Sequence, residues 1–494
     1  MKRSKRILVF VFLFLAFAFA GATIYTLSNF TFLDGNPLAQ VIFHVMVPAE
    51  GTGSNFIKGI VIQCIIIPFL ASFFITYVLS HKTTYFELSV LDKYSFKPFL
   101  FIRRFSVLIS ATLLVISFSI CANKMMLKNY LLSISLSTSL YEDEYVDPRN
   151  VDFVFPKEKR NLIYIFLESA EIGDYSFAEG GAFPDNYIPE LYQLAEENIT
   201  FNDNKGYHVM TSAGWTVASM VAHTCGVNLH IPIDGNSYIS ETSFLKGAYS
   251  IGEILEKEGY TNELLIGSDA MFGGRKDYFT QHGNYLIHDY NWAVEEGLVD
   301  YYVWWGYEDH KLFEIARDEL TKLSESEEPF NFTMLTVDTH HVGGYFCEYC
   351  ENQYDENYAN VYACLSRQTY AFIEWIKQQD FYENTTIVLV GDHCSMDTGW
   401  AHLMPEGYER MAYYTIINPA EGCIPTENRE FYTADFYPTT VAALGIKWDG
   451  DRLALGTNLF SERETLIEQY GLDEINLLTG RHSYYYDNHI LYGQ

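Results

Sequence analysis

Four apolar runs of strand length constrain this chain more than any other feature. NLIYIFLES (161–169), NELLIGSD (262–269), NFTMLTVDTHH (331–341) and TTIVLVGDH (385–393) all finish in polar residues. Helical patterns at 249–258, 308–323 and 365–378 lie between them. Buried-type strands alternating with helices predict an α/β domain with a mostly parallel central sheet flanked by helices. In an open parallel sheet, ligands bind at the carboxyl ends of the strands. Three of the runs end there in metal-type residues: Glu168, then Asp338, His340 and His341, then Asp392 and His393. Each has an ordinary alternative as a helix cap, a solvent-facing histidine or a chance Asp-His pair. Their convergence on one sheet edge favours a site.

The stretch YHVMTSAGWTVASMVAHTCGVNLHIP (207–232) turns helical at Thr216, after which Val217, Met220, Val221 and Thr224 follow at helical spacing. Thr216 is therefore either an N-cap or a nucleophile. A helix N-terminus suits a phosphate, but a threonine hydroxyl needs a base or a metal to ionise it. Glu168, Thr216, Asp392 and His393 together offer two carboxylates, an imidazole and a hydroxyl. That set suits Mn²⁺, Zn²⁺ or Mg²⁺ rather than a soft metal. His340 is then left to steady a phosphate or protonate a leaving oxygen.

Three other apolar runs, at about 7–27, 57–79 and 105–122, are long enough to span a bilayer. MKRSKR precedes the first, and Lys82, Lys93, Lys97, Arg103 and Arg104 lie between the second and third. The positive-inside rule then places the N-terminus and the 81–104 loop in the cytoplasm. Everything after the third span falls in the periplasm or outside the cell, so the expectation is a multi-pass protein of the plasma (inner) membrane. Residues 1–130 form the membrane domain, 131–160 a charged, proline-punctuated connector and 161–494 the catalytic domain. Residues 1–130 carry 12 Lys/Arg against 4 Asp/Glu, and the remainder 20 against 59. A domain that acidic is a poor partner for nucleic acid. Eight cysteines in 494 residues do not make a disulfide scaffold. Cys347 and Cys350 form a CxxC, but no second pair follows, which favours a disulfide over zinc. Cys225 falls inside the helical pattern and is expected to pack.

Six pieces occur in one order across about 161–460: NLIYIFLES, WTVASMVAHTCGVNL, WGYED (305–309), TVDTHH (336–341), GDHCSM (391–396) and DFYPTTVAALGI (435–446). As a set they resemble the lipoteichoic acid synthase/phosphoglycerol transferase branch of the alkaline phosphatase–sulfatase superfamily. The likeness is strongest to the transferases that decorate osmoregulated periplasmic glucans. The resemblance implies a metal site of Glu168, Thr216, Asp392 and His393, with Thr216 the nucleophile and Mn²⁺ the expected ion. It implies substrate contacts at His340 and at Arg275 in FGGR, phosphatidylglycerol as donor and a glycan as acceptor. Where lipoteichoic acid synthases carry another histidine, this chain holds Ile266 or Gly267, which favours the glucan-type branch. Val342 stands where the family frequently has proline. Sulfatases of the superfamily use Cys or Ser in a C/S-x-P-x-R context, which is absent around Thr216. A phosphoethanolamine transferase and a hydrolase of the same superfamily are the alternatives. Cys350 with Cys364 is the disulfide that the family positions imply.

Overall fold

The computed structural model describes residues 2–29, 38, 58–81, 88–90, 94–96, 98–230 and 244–494. They divide into two compact units at the 132/133 boundary. The first unit holds three helices long and apolar enough to cross a membrane: Arg3–Ser28, Lys58–Ser80 and Phe99–Lys124. They coincide with the three apolar runs of the sequence. Lys82, Lys93 and Lys97 of the basic 81–104 stretch lie outside the described residues.

The second unit is built on a seven-stranded sheet. Its strands, numbered along the chain, are β1 (Asn161–Leu167), β2 (Gly206–Tyr207), β3 (Thr261–Ile266), β4 (Leu286–His288), β5 (Phe330–Leu335), β6 (Thr385–Gly391) and β7 (Ala412–Ile417). The spatial order is β2-β7-β6-β1-β5-β3-β4. The five strands from β6 to β4 are parallel, and β7 and β2 add antiparallel pairs. The central strands are buried along almost their whole length, as expected of a sheet covered on both faces.

Register brings the strand ends together. Leu167 pairs with Gly391, while Leu335 pairs with both Phe166 and Ile266. The residues just beyond those pairs, Glu168 and Asp392, therefore leave the sheet side by side. The helices Asp309–Ser324 and Asn357–Ile376 each bury an apolar stripe in the core. The second begins eight residues before the pattern at 365, because Tyr358, Val361 and Tyr362 extend its buried face.

Candidate active site

Thr216 opens the helix Thr216–Cys225 as its first helical residue. Trp215, with extended backbone angles, is the N-cap. The capping alternative for Thr216 is thus not realised, and its hydroxyl is free for other partners. It donates to Glu168 Oε2 at 3.2 Å and lies 3.5 Å from His393 Nε2. His393 Nε2 is 3.3 Å from Asp392 Oδ2 and 3.7 Å from Glu168 Oε1. All four residues are buried.

The supporting hydrogen bonds orient each of these groups. His393 Nδ1 lies 2.9 Å from the Cys394 carbonyl, a contact it makes as a donor, which turns the lone pair of Nε2 toward the cluster. Ser169 adopts a left-handed backbone with φ of 58°. From there its N–H donates to Asp392 Oδ1 at 2.7 Å and its hydroxyl to Glu168 Oε1 at 2.8 Å. Ser169 was missed in the sequence. Its only signal there is a polar residue directly after the strand-end glutamate. A non-glycine residue held at such angles costs about 1–3 kcal/mol, which the surrounding contacts must offset.

Electrostatics make the cluster receptive to a cation. Burial, and then the charge of Glu168, push the Asp392 carboxyl well above the usual range. Burial also acts to raise Glu168, but the imidazoles of His340 and His393 and the hydroxyls of Ser169 and Thr216 hold it below its ordinary value. Burial opposes the positive form of His393, yet Asp392 and Glu168 raise it. Glu168, Asp392 and His393 present donor atoms within 4.8 Å of one another. A tetrahedral ion with ligands at 2.0–2.1 Å needs donors about 3.3 Å apart. The 3.2–3.7 Å separations match that, and Asp392 Oδ2 has no hydrogen-bond partner among the described residues. The residues fit a divalent ion with oxygen and nitrogen ligands.

His340 and Arg275 approach from neighbouring strand ends. Burial lowers the His340 imidazole while Glu168 opposes that shift. Nδ1 of His340 is 2.7 Å from the His341 carbonyl, and its ring lies 4.7 Å from that of Trp305. WGYED serves this loop, since Asp309 accepts from the N–H groups of Val337 at 2.6 Å and Asp338 at 3.1 Å. Asp338 does not join the cluster. Both its carboxyl oxygens are buried without hydrogen-bond partners among the described residues. Burial pulls the Arg275 guanidinium down to about 10 against the charges of Glu168, Asp269 and Asp289. Its Nη2 donates to Ser268 Oγ and the Asp269 carbonyl, and its buried Nε has no hydrogen-bond partner among the described residues. At position 267 a Cβ would meet the Tyr307 carbonyl oxygen at 2.7 Å, so this strand end has no room for a side chain.

The turn that delivers Arg275 packs directly on the Thr216 helix. Gly273 has φ of 65°, and a Cβ there would meet Val217 Cγ2 at 2.6 Å. Gly273→Ala is expected to cost about 1–3 kcal/mol from backbone strain and overpacking. Earlier thermal unfolding would show this, and an unchanged midpoint would refute the packing argument. Asp435 and Phe436, from the last sequence piece, back the same helix. Phe436 lies 4.9 Å from His223, and Asp435 accepts from the N–H groups of Tyr432 and Thr457. His223 is a neutral core residue, its pKa pushed down to about 3 by burial. Cys225 is buried at the helix end, as the pattern predicted.

Known proteins resemble this chain in sequence and fold. Residues 160–445 match the family model described as Sulfatase. Phosphoglycerol transferase I of Xanthomonas campestris pv. campestris is 32% identical over 248 residues, which are 49% of this chain and 34% of that protein. Phosphoglycerol transferase I of Escherichia fergusonii is 33% identical over 261 residues, 50% of this chain and 33% of that protein. The chain spans about a third of the length of these relatives. The lipoteichoic acid synthase LtaP from Listeria monocytogenes superposes with a TM-score of 0.50 at 18% identity, over 66% of this chain and 82% of that structure. The family match holds Thr216 and the two strands, β1 and β6, that lead into Glu168, Asp392 and His393, and it extends over more than half of the sequence; the chain belongs to the sulfatase family.

Proposed function

We propose that this chain is a metal-dependent, membrane-anchored phosphotransferase that moves phosphoglycerol from phosphatidylglycerol to an extracytoplasmic glycan. The observation that carries this reading is the Thr216 hydroxyl, set at a helix N-terminus among Glu168, Asp392 and His393. The relatives named phosphoglycerol transferase I support the headgroup. Glu168, Thr216, Asp392 and His393 would hold one divalent ion, with Mn²⁺ preferred and Zn²⁺ or Mg²⁺ as alternatives. Such an ion, when bound, supplies Lewis acidity and eases ionisation of a hydroxyl beside it.

Thr216 Oγ attacks the donor phosphorus and its proton passes to Glu168 Oε2, to which the hydroxyl already donates. The bond from phosphorus to the diacylglycerol oxygen breaks, and His340 delivers a proton to that leaving oxygen. Glycerophospho-Thr216 remains. A glycan hydroxyl then attacks the same phosphorus and gives its proton to His340, while the bond from phosphorus to Thr216 Oγ breaks and that oxygen takes back the proton held by Glu168. Arg275 neutralises charge on the phosphoryl oxygens. The three apolar helices hold the domain beside its lipid donor and so raise the local concentration. In this reading the N-terminus is cytoplasmic and the catalytic unit periplasmic or extracellular. The unit is strongly acidic, so the local cations rather than its overall field must draw in an anionic headgroup.

The test is an intact mass of the purified chain after incubation with manganese and phosphatidylglycerol without acceptor. One phosphoglycerol adduct is expected, mapping to the peptide that contains Thr216. Transfer from phosphatidylethanolamine in its place would overturn the headgroup assignment. For His340→Gln, a fall in kcat of about 10²-fold or more is expected with metal content unchanged. Wild-type turnover in that variant would remove His340 from the proton path.

A further inference from the structure

A second cluster of metal-type side chains lies apart from Thr216. Cys347, Cys350 and Cys364 converge although 17 residues separate the first from the last. The Cys347 sulfur is 3.6 Å from that of Cys350 and 3.8 Å from that of Cys364. All three are buried, with exposures of 2%, 9% and 2%. None is in a disulfide, so the expected Cys350–Cys364 bridge is not formed. The reason is spatial, since the CxxC turn sets Cys347 in contact with both other sulfurs.

We propose that Cys347, Cys350 and Cys364 form a second metal site, a tris-thiolate centre for Zn²⁺. Four-coordinate zinc with Zn–S bonds of 2.3 Å places its sulfurs about 3.8 Å apart. The observed separations fit that edge. One of the sulfurs also has an N–H donor of the kind that stabilises metal-bound thiolates. Gln368 Nε2 donates to Cys364 Sγ at 3.3 Å. A disulfide would use two of the sulfurs and strand a third buried thiol, whereas a metal uses all three. Binding displaces three thiol protons to solvent and changes no oxidation state. Among the described residues no fourth His, Cys, Asp or Glu joins the group, which leaves the fourth position to water.

The location gives this site a purpose. Residues 342–356, directly after His340 and His341, form neither helix nor strand. Irregular segments that long are uncommon unless something ties them down. The centre would staple this segment to the helix Asn357–Ile376 through Cys364 and so steady the loop that presents His340.

The full chain in detergent, purified without chelator, tests this. Metal analysis of the double variant Asp392→Asn/His393→Gln separates the two sites. About one zinc per chain is expected to remain, and adding Cys350→Ser should remove it. Cobalt substituted into the same double variant should give thiolate-to-cobalt charge-transfer absorption, which a cluster without sulfur cannot produce. In the wild-type chain, the three thiols should resist alkylation until a zinc chelator is added. That measurement holds even where a cysteine variant does not fold. A disulfide between any two of the three in a non-reducing peptide map would overturn the proposal. So would three freely alkylated thiols with no zinc in the double variant.

Discussion

Thr216→Ala is expected to reduce transfer by about 10⁴-fold or more, the scale seen when an enzyme loses its nucleophile. Fold and membrane insertion should survive, for a reason that lies in the helix geometry. Thr216 is the first helical residue and Trp215 the cap, so alanine removes no capping bond. Alanine is also the better helix former. The substitution loses the hydrogen bond to Glu168 Oε2 and the long 3.5 Å contact with His393 Nε2, worth about 1 kcal/mol in net stability. Thr216→Ser should retain part of the activity, since it keeps the oxygen and loses only the methyl that limits rotation about χ1. Diacylglycerol release from phosphatidylglycerol is the readout. Release by Thr216→Ala at a rate near wild type would mean that water attacks the donor directly and that no threonyl intermediate forms.

Much of this site could be read from the sequence because parallel register does the assembling. Once 161–169 and 385–393 are neighbouring parallel strands, Glu168 and Asp392 must emerge together. The same logic brings 336–341 beside them from β5. Residues whose roles depend on contacts across the fold left no such signal. The left-handed turn at Ser169 aims two carboxylates, yet nothing in its local sequence requires that angle. The antiparallel strand β7 has the short sequence AYYTII and was not recognised, because its place is set by pairing with β6 rather than by a repeating pattern. Spacing along the chain shows only the CxxC of Cys347 and Cys350, and Cys364 enters the sequence reading through the family resemblance alone, as a disulfide partner of Cys350. Cys364 joins them only through the packing of its helix.

Arg410→Ala is expected to destabilise the catalytic unit by about 3–5 kcal/mol, the cost of leaving one half of a buried ion pair. Glu171 is fully buried, and its partner Arg410 has a side chain only 7% exposed. Arg410 Nε donates to Glu171 Oε2 at 2.7 Å, and its Nη2 reaches both Glu171 Oε1 and the Ser395 carbonyl. Glu171 Oε1 also accepts from the Ser395 N–H at 3.1 Å. These bonds tie the loop just after Glu168 to the loop just after Asp392 and His393. Asp174 adds to the cost, because its carboxyl is already pushed up by burial and by the charge of Glu171. Without the guanidinium, two acidic groups would share a dry pocket with no cation. A fall in midpoint of roughly 5 °C is expected in thermal unfolding. Metal affinity should fall with it, since both ligand-bearing loops lose their tie. Adding Glu171→Gln should recover part of the loss, because the pair is coupled and the buried charge is then gone. An Arg410→Ala midpoint within about 2 °C of wild type, on the order of 1 kcal/mol or less, would show that the loops are held by packing alone.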